Sequence, residues 1–571
     1  MAKKNKGTIT KNDIGDLITA FEDNHSDLLD RMDADFDLYT LVEYKLDDQS
    51  ENVTSNEPRV FADKIIQTCE AASLNLRITT PEDVKKTKKD VEVTFDGEAP
   101  TSNHDKESAL ERLGYGLINI ADRSLRRDRI INGRSVQSAQ WFFGAVRGAM
   151  CQRVVLTRKD NKSYPDILPV DPRYFSFGID DNGMAWGAVT TWRDPMAVKT
   201  EYGIDVDDVV KCIDFWDTEK NIIQIGEGGA IVDQITQSHK LGRVPFVYVP
   251  VGSSPLIYTT DGKFDNVSSW GESIYSGGRG MYNAKNMALT VWLSLLKKSH
   301  KRSCFIITPS GKLPIEKVPW GTDQVVTLPA DSKIEWVNPP DIAMSAPQLY
   351  RIIDQEIQKA DLATIEYGLI AGTEYPSGKA IMNLQEGRDS KVTPLLKAAN
   401  ALWEDTLSML FDQYEKSGTK LTVNGYDSKG KLFYQEIKPT DVKQPFEIEC
   451  KWVSITPEQE TQNIAKAQML ASMGMPDEYI LDKAMQAQDP QKIIRQKKMA
   501  LMETEHPIIR LLHEREAAQK EGRAREVEYL TNALIKAVGQ FGQPQQPQPQ
   551  QLPEGQQAQP QPPAAPQQGG F

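Results

Sequence analysis

Apolar positions along the chain alternate between a helical and a strand period. Ile14, Leu17, Ile18 and Phe21 recur at helical spacing and predict a first helix starting near Thr10 or Asn12. The acidic run from Asp27 to Asp37 that follows reads as a surface helix. From Pro58, the positions Val60, Phe61, Ile65, Ile66 and Cys69 keep a helical period and lead into Leu74–Ile78, whose alternation fits a short strand. Residues 81–107 are charged and weakly patterned. A helical period returns from Ala109 through Leu113, Leu117, Ile120 and Leu125, and the helix closes on the basic cluster Arg123, Arg126, Arg127 and Arg129. Between Trp141 and Val251 short apolar runs are broken by Gly, Pro, Asp and Asn, which predicts a twisted antiparallel sheet with a hairpin at Asp181-Asn182-Gly183.

The stretch from Gly271 to Gly418 has an order of its own. A helix carrying Ala284, Met287, Ala288, Val291, Trp292 and Leu295 on one face ends in Lys297, Lys298, His300, Lys301 and Arg302. Short β-like runs follow at Cys304–Thr308, Gln324–Leu328 and Lys333–Val337 in a Pro-rich setting, forming a compact β insertion. Helix resumes from Gln348 through Leu349, Ile352, Ile353, Ile357 and Ala360, then breaks at Gly368, Gly372, Pro376 and Gly378. A long helix then runs from Val392 through Leu395, Leu402, Trp403, Leu407 and Leu410 to Tyr414. After strands between Leu421 and Val453, Thr456-Pro457-Glu458-Gln459 provides a cap, a first-turn proline and a capping-box partner for a helical C-terminal region. Residues 541–571 are nearly all Gln, Pro, Gly and Ala, a composition that cannot bury a core and predicts disorder.

Composition narrows the function classes. The chain has 571 residues, 39% of them hydrophobic and 26% charged, enough for more than one packed region. No apolar run approaches the roughly 18 residues of a membrane span, and no apolar stretch follows Met1–Lys6, so no membrane partner, no secretory signal and a cytoplasmic fold are expected. Cys69, Cys151, Cys212, Cys304 and Cys450 form no C-x-x-C pair, which predicts buried thiols rather than a zinc or disulfide scaffold. A net charge of −13 disfavours tight wrapping of nucleic acid and permits a slippery contact with it.

Candidate chemistry fails on spacing. Gly372 to Ala380 resembles a phosphate loop, but five residues separate Gly372 from Gly378, and Ala380 stands where a hydroxyl would hold magnesium. Gly271-Glu272-Ser273-Ile274-Tyr275 lacks the second glycine of a nucleophile elbow, which leaves Ser273 as a helix-start residue. His506 and His513 have no zinc-site spacing. No catalysis, cofactor or metal is expected. The cluster Lys297, Lys298, Lys301 and Arg302 has a plain explanation at a helix C-terminus, where positive charge favours the dipole. Lys379, Arg388 and Lys391 flank a glycine-rich loop, a setting that favours contact with a polyanion.

The order of elements from Gly271 to Gly418 resembles the middle of tailed-bacteriophage portal proteins. Leu168–Phe175 and Gly242–Val249 look like sheet segments of a portal wing, and the helices from Thr456 are similar to a portal crown. The resemblance implies an α+β, portal-like fold: wing (1–272), stem helix (273–302), clip (303–340), returning stem helix (341–366), tunnel loop (367–388), spine helix (389–417), β part of the wing (418–455), helical crown (456–540) and Gln/Pro-rich tail (541–571). It also implies a homo-oligomer, roughly a 12-mer, that forms a channel at one capsid vertex for packaging and ejecting double-stranded DNA. The expected partners are terminase, then a head-tail adaptor, the major capsid protein, and non-specific double-stranded DNA. The expected location is the virion, with host cytoplasm during assembly. On this reading Lys379, Arg388 and Lys391 face DNA, and Lys312, Glu316, Lys317 and Trp320 of the clip bind partners. The alternatives are another virion ring, such as an adaptor or baseplate component, a terminase-like DNA-processing enzyme, which would need an intact phosphate loop, and a generic scaffold using the Gln/Pro tail.

Overall fold

The structure is a computed structural model. It describes residues 11–48, 50–79, 103–128, 135–159, 162–227, 230–255, 269–300, 304–307, 333–336, 345–360, 378–418, 421–426, 432–442, 446–453, 457–485, 493–494, 497–498, 501, 507–520 and 524–541. The chain divides into two units, Met1–Ile455 and Thr456–Phe571.

Helices α1 (Lys11–Asn24), α2 (Ser26–Thr40) and α3 (Glu57–Glu70) open the first unit, followed by strand β1 (Ser73–Thr79), helix α4 (Asn103–Asp128) and helix α5 (Val136–Arg147). Next come β2 (Ala149–Lys159), β3 (Lys162–Val170), a 3-10 turn at Pro172–Tyr174, β4 (Phe175–Asp180), β5 (Gly183–Arg193), α6 (Pro195–Tyr202), β6 (Val210–Asp217), β7 (Lys220–Glu227), β8 (Ala230–Ser238) and β9 (Phe246–Pro250). The unit closes with α7 (Arg279–His300), β10 (Cys304–Ile307), β11 (Lys333–Trp336), α8 (Ser345–Ala360), α9 (Gly378–Ser417), β12 (Leu421–Tyr426), β13 (Leu432–Ile437) and β14 (Glu447–Val453). The second unit is helical among its described residues: α10 (Pro457–Ser472), α11 (Asp477–Lys483), α12 (Pro507–Lys520) and α13 (Ala524–Phe541). The fold is α+β.

Strands β4 to β8 form an antiparallel meander in sequence order. Its first hairpin turns where the sequence predicts: Asp180 pairs with Gly183, whose φ of +114° suits glycine, and the Asp180 carboxylate accepts from Asn182 N at 2.7 Å. Ile14 and Ile18 of α1 cover one face against Ala188, Phe215 and Ile222, and Val198 of α6 covers the other against Val210, Cys212 and Ile225. A second sheet has the order β3-β2-β9, and an aromatic cluster of Phe21, Phe175, Phe177, Phe246, Tyr248 and Trp270 joins the two sheets.

Helix α9 is the centre of the main core. Leu395, Leu402, Trp403, Leu407, Leu410, Phe411 and Tyr414 are buried on it. Its polar side chains also satisfy strand backbone groups that, among the described residues, no neighbouring strand reaches. Gln413 donates to Val154 O at 2.9 Å and accepts from Leu156 N at 2.7 Å, just beyond the β2 residues that β9 covers. Asn400 and Glu404 accept from Trp452 N and Cys450 N of β14 at 2.8 and 2.9 Å. Strand β14 in turn pairs with β1.

Four sequence expectations change. The sheet expected from Trp141 starts only at Ala149, because Trp141, Ala145 and Val146 pack inward from helix α5. The acidic run after Asp27 forms a helix that is solvated on one side only: Asp27, Asp30 and Asp37 are exposed, while Leu28, Leu29 and Met32 are buried, and so are Arg31 and Asp35 on the same side. The helix expected from residue 273 starts at Arg279, since residues 274–278 turn through Gly277-Gly278. The described part of the loop expected over 367–388 is helix from Gly378 onward. A single helical glycine such as Gly387 costs only about 1 kcal/mol, and the buried stripe downstream offsets that. Pro394 lies inside the same helix, where Thr393 Oγ1 and Ser390 Oγ donate to Asp389 O and Gly387 O in the preceding turn. Residues 361–377, most of 303–340 and the tail after Phe541 lie outside the described residues.

Candidate functional site: the α7–α8 helix pair

The segment that enters α7 is tied to three elements. Gly148, in the left-handed conformation at the end of α5, accepts from Val251 N at 2.9 Å, while Glu272 N donates to Val251 O and Ile274 N to Ala145 O. Gly271 has φ +106°, and a Cβ there would sit 2.1 Å from Gly148 O, so only glycine fits this close approach.

Around this crossing lies a buried ion network. Arg31 donates to Gly271 O at 2.9 Å and Arg147 O at 3.0 Å and pairs with Glu272 at 3.3 Å. Arg147 donates to Met32 O and pairs with Asp33 and Asp171, and Arg173 also reaches Asp33. Asp35, fully buried, accepts from Ser273 Oγ at 2.7 Å and from Arg279 at 2.5 and 3.0 Å. Burial opposes the charge of the Arg279 guanidinium, yet the hydrogen bonds and charges of Asp35 and Glu272 outweigh it and raise its pKa. Arg279 is the first residue of α7, where the helix dipole repels a cation, so these carboxylates also complement the helix end.

Along its length α7 shows three faces. Asn286, Thr290 and Ser294, one turn apart and buried, accept from Ser55 N, Val53 N and Glu51 N at 2.9 Å each. The strap that donates these bonds, residues 42–55, folds on itself as Tyr44 N and Leu46 N donate to the side chains of Thr54 and Asn52. Alternate residues of an extended segment advance about 6.6–6.8 Å and one helical turn about 5.4 Å, close enough for a short ladder. Replacing Thr290 with the isosteric valine is expected to leave Val53 N–H without its acceptor and cost about 1–3 kcal/mol. Hydrogen exchange at residues 51–55 should then accelerate, and unchanged exchange would show that the strap is not held by this ladder.

The second face meets α8. Trp292 stacks on Tyr350 with ring centroids 5.5 Å apart, and Lys285 donates to Asp354 of α8 at 2.7 Å and to Glu57 of α3 at 2.6 Å. Burial disfavours the Lys285 ammonium, but Asp354 and Glu57 outweigh it and its pKa is raised. The third face is apolar and open. Met281, Met287 and Val291 are exposed, with half-buried Ala284, Ala288 and Leu295 beside them at helical spacing. Helix α8 carries a different open patch, Leu349 and Ile352, 57% and 54% exposed.

The basic residues singled out from sequence fall in several places. Lys297 lies on α7 and pairs with Glu51 of the strap. Lys298 lies within α7, and Lys301, Arg302, Lys312, Glu316, Lys317 and Trp320 lie outside the described residues. Lys379 and Arg388 sit on helix α9 rather than on a loop, and Lys391 lies on the same helix, as expected; Arg388 and Lys391 are half-buried, and Arg388 contacts Asp389 at 3.3 Å. The sequence reading missed the Asp35 network, although Leu28, Leu29 and Met32 mark an inward face that carries Arg31 and Asp35. It also missed the Asn286, Thr290, Ser294 stripe, which the regular spacing of polar residues in an apolar helix could have revealed.

No family model matches the chain, and no curated protein does. Among solved structures, the one described as "Neck of empty GTA particle computed with C6 symmetry" is similar at 11% identity over 77% of this chain and 94% of that chain, with a TM-score of 0.40. A similarity of that degree leaves function to be argued from the chain's own geometry. Among the described residues no group of three or more His, Cys, Asp or Glu could hold a metal ion, and no helix is long and apolar enough to cross a membrane.

Proposed function

We propose that the chain is a phage portal subunit, a non-catalytic member of a ring at one capsid vertex through which double-stranded DNA is packaged and ejected. The observation that carries this reading is the α7–α8 pair, which leaves apolar side chains open on both helices, Met287, Val291, Leu293 and Leu296 on α7 and Leu349 and Ile352 on α8. Unlike faces favour a head-to-tail contact, and a head-to-tail contact repeated by a closing rotation makes a ring. Helix pairs side by side would then form the wall of a channel, with the antiparallel β10–β11 pair at their far ends in the clip expected over 303–340. That clip is the proposed docking surface for terminase and then a head-tail adaptor, and the rest of the ring would contact the major capsid protein. A net charge of −13 per copy suits a wall along which DNA slides. Energy for packaging would come from another protein.

Electron microscopy of the purified full chain tests this. A closed ring of roughly twelve copies with an open channel wide enough for duplex DNA is expected. A monodisperse monomer, or a ring with no through-channel, would overturn the reading.

A further inference from the structure

Strand β5 outruns its neighbour β4. Val189 faces Phe175, the first residue of β4, and beyond it Thr190–Arg193 pair with β6 alone, because the chain ahead of β4 leaves the sheet in the 3-10 turn at Pro172–Tyr174. Successive residues of a strand direct their N–H and C=O groups to opposite sides, so two of these four turn theirs away from β6. Among the described residues no other backbone group answers them.

A cavity of about 870 Å³ opens at this gap, lined by Thr190–Arg193 on one side and by Leu168, Pro169 and Val170 of β3 on another. Strand β3 is itself a sheet edge, and Pro169 has no N–H to offer across the space. Thr190, only 8% exposed, lines the cavity with a hydroxyl that has no hydrogen-bond partner among the described residues, a state that buried polar groups rarely keep. Tyr174 and Trp192, 37% and 54% exposed, also line it and meet edge to face with ring centroids 5.0 Å apart.

The charged groups on the walls are all taken. Arg153 pairs with Asp214 and Asp166 at 2.6 and 3.2 Å, Arg193 with Glu201, and Asp171 with Arg147. A charge entering the cavity would lose water and find no counter-ion, so an uncharged occupant is favoured. Alternate residues of a strand stand about 6.6–6.8 Å apart, and backbone groups open at that interval match an extended chain better than a compact molecule.

We propose that this cavity binds an extended, uncharged peptide segment of another protein, which lies as a short strand against Thr190–Arg193, hydrogen-bonds the Thr190 hydroxyl and sets a bulky apolar side chain against Tyr174 and Trp192. None of these groups lies on α7 or α8, so the site and the proposed ring contact are separable and neither rests on the other.

The test uses the full chain and, as probe, an uncharged peptide of alternating threonine and valine with a central leucine. Hydrogen exchange at residues 189–193 is expected to slow as this peptide is added. It should change little with a twin whose amides are N-methylated, or with one whose threonines are replaced by lysine and glutamate. Thr190→Val and Trp192→Ala should each weaken binding about tenfold. Because Thr190→Val removes an unanswered hydroxyl from the unliganded protein, its melting temperature should hold or rise, which separates lost binding from lost folding. Exchange at 189–193 that is unaffected by millimolar peptide would overturn the proposal, as would equal slowing by the N-methylated twin. Slowing that grows with protein concentration alone would overturn it as well, and would make a second copy of the chain the occupant.

Discussion

Replacing Asp35 with alanine is expected to destabilise the first unit by about 3–5 kcal/mol, the range for removing one partner of a buried ion pair. The carboxylate is fully buried and serves three groups at once: the Arg279 guanidinium through two hydrogen bonds, the Ser273 hydroxyl, and the Arg31 guanidinium at 3.9 Å. Without it Arg279 keeps only Glu272, and the cation at the first residue of α7 faces the helix dipole with less compensation. The loss therefore concentrates where α2, α5 and the start of α7 meet. Asp30, exposed on the same helix, is the matched control, and its alanine variant should stay within about 0.5 kcal/mol of the parent. Asp35→Asn should fall between the two, because an amide oxygen still accepts a hydrogen bond while the charge is gone. Denaturant titrations followed by a signal from the first unit give the three values. An Asp35→Ala loss no larger than that of Asp30→Ala would show that the network carries no stability.

The reason this network was hidden in the sequence is instructive. Counting acids from Asp27 to Asp37 suggests a solvated helix, but Arg31, Asp35 and the apolar Leu28, Leu29 and Met32 share one side of it. Their partners Arg147, Glu272 and Arg279 lie more than a hundred residues away, so no local pattern announces the pairing. The elements built on local periodicity were legible: α1 from Ile14 and Ile18, the hairpin at Asn182-Gly183, and the buried stripe of α9 from Val392 to Tyr414. The placement of Lys379 and Arg388 was misread because glycine and proline punctuation at Gly372, Pro376 and Gly378 was extended too far; helix begins at Gly378 and carries through Gly387. The strap over 42–55 has almost no apolar pattern, and its structure comes from side chains answering backbone N–H groups, a code that hydrophobic periodicity cannot read.

Replacing Val291 with glutamate is expected to abolish ring formation while leaving the single chain folded. Val291 is 38% exposed on the open face of α7, so in an isolated copy the carboxylate reaches water and stability should shift by no more than about 0.5 kcal/mol. In a ring the same position would be covered by the α8 face of the next copy, where Leu349 and Ile352 offer no partner for a charge. Burying an uncompensated carboxylate costs several kcal/mol per contact, and about 1.4 kcal/mol is already tenfold in affinity. The penalty recurs at every contact around the ring, so closure fails even if a single contact survives weakly. Lys297→Ala on the strap side of the same helix is the control and should assemble normally, since Lys297 pairs within its own chain. Light scattering on the size-separated protein, together with its melting temperature, reads both halves of the expectation. Rings that persist with Val291→Glu would remove the α7–α8 contact from the assembly, and with it the observation on which the portal reading stands. A variant that neither assembles nor melts like the parent is separated from that outcome by Met287→Gln, a polar change on the same face that adds no charge and should weaken the ring without unfolding the chain.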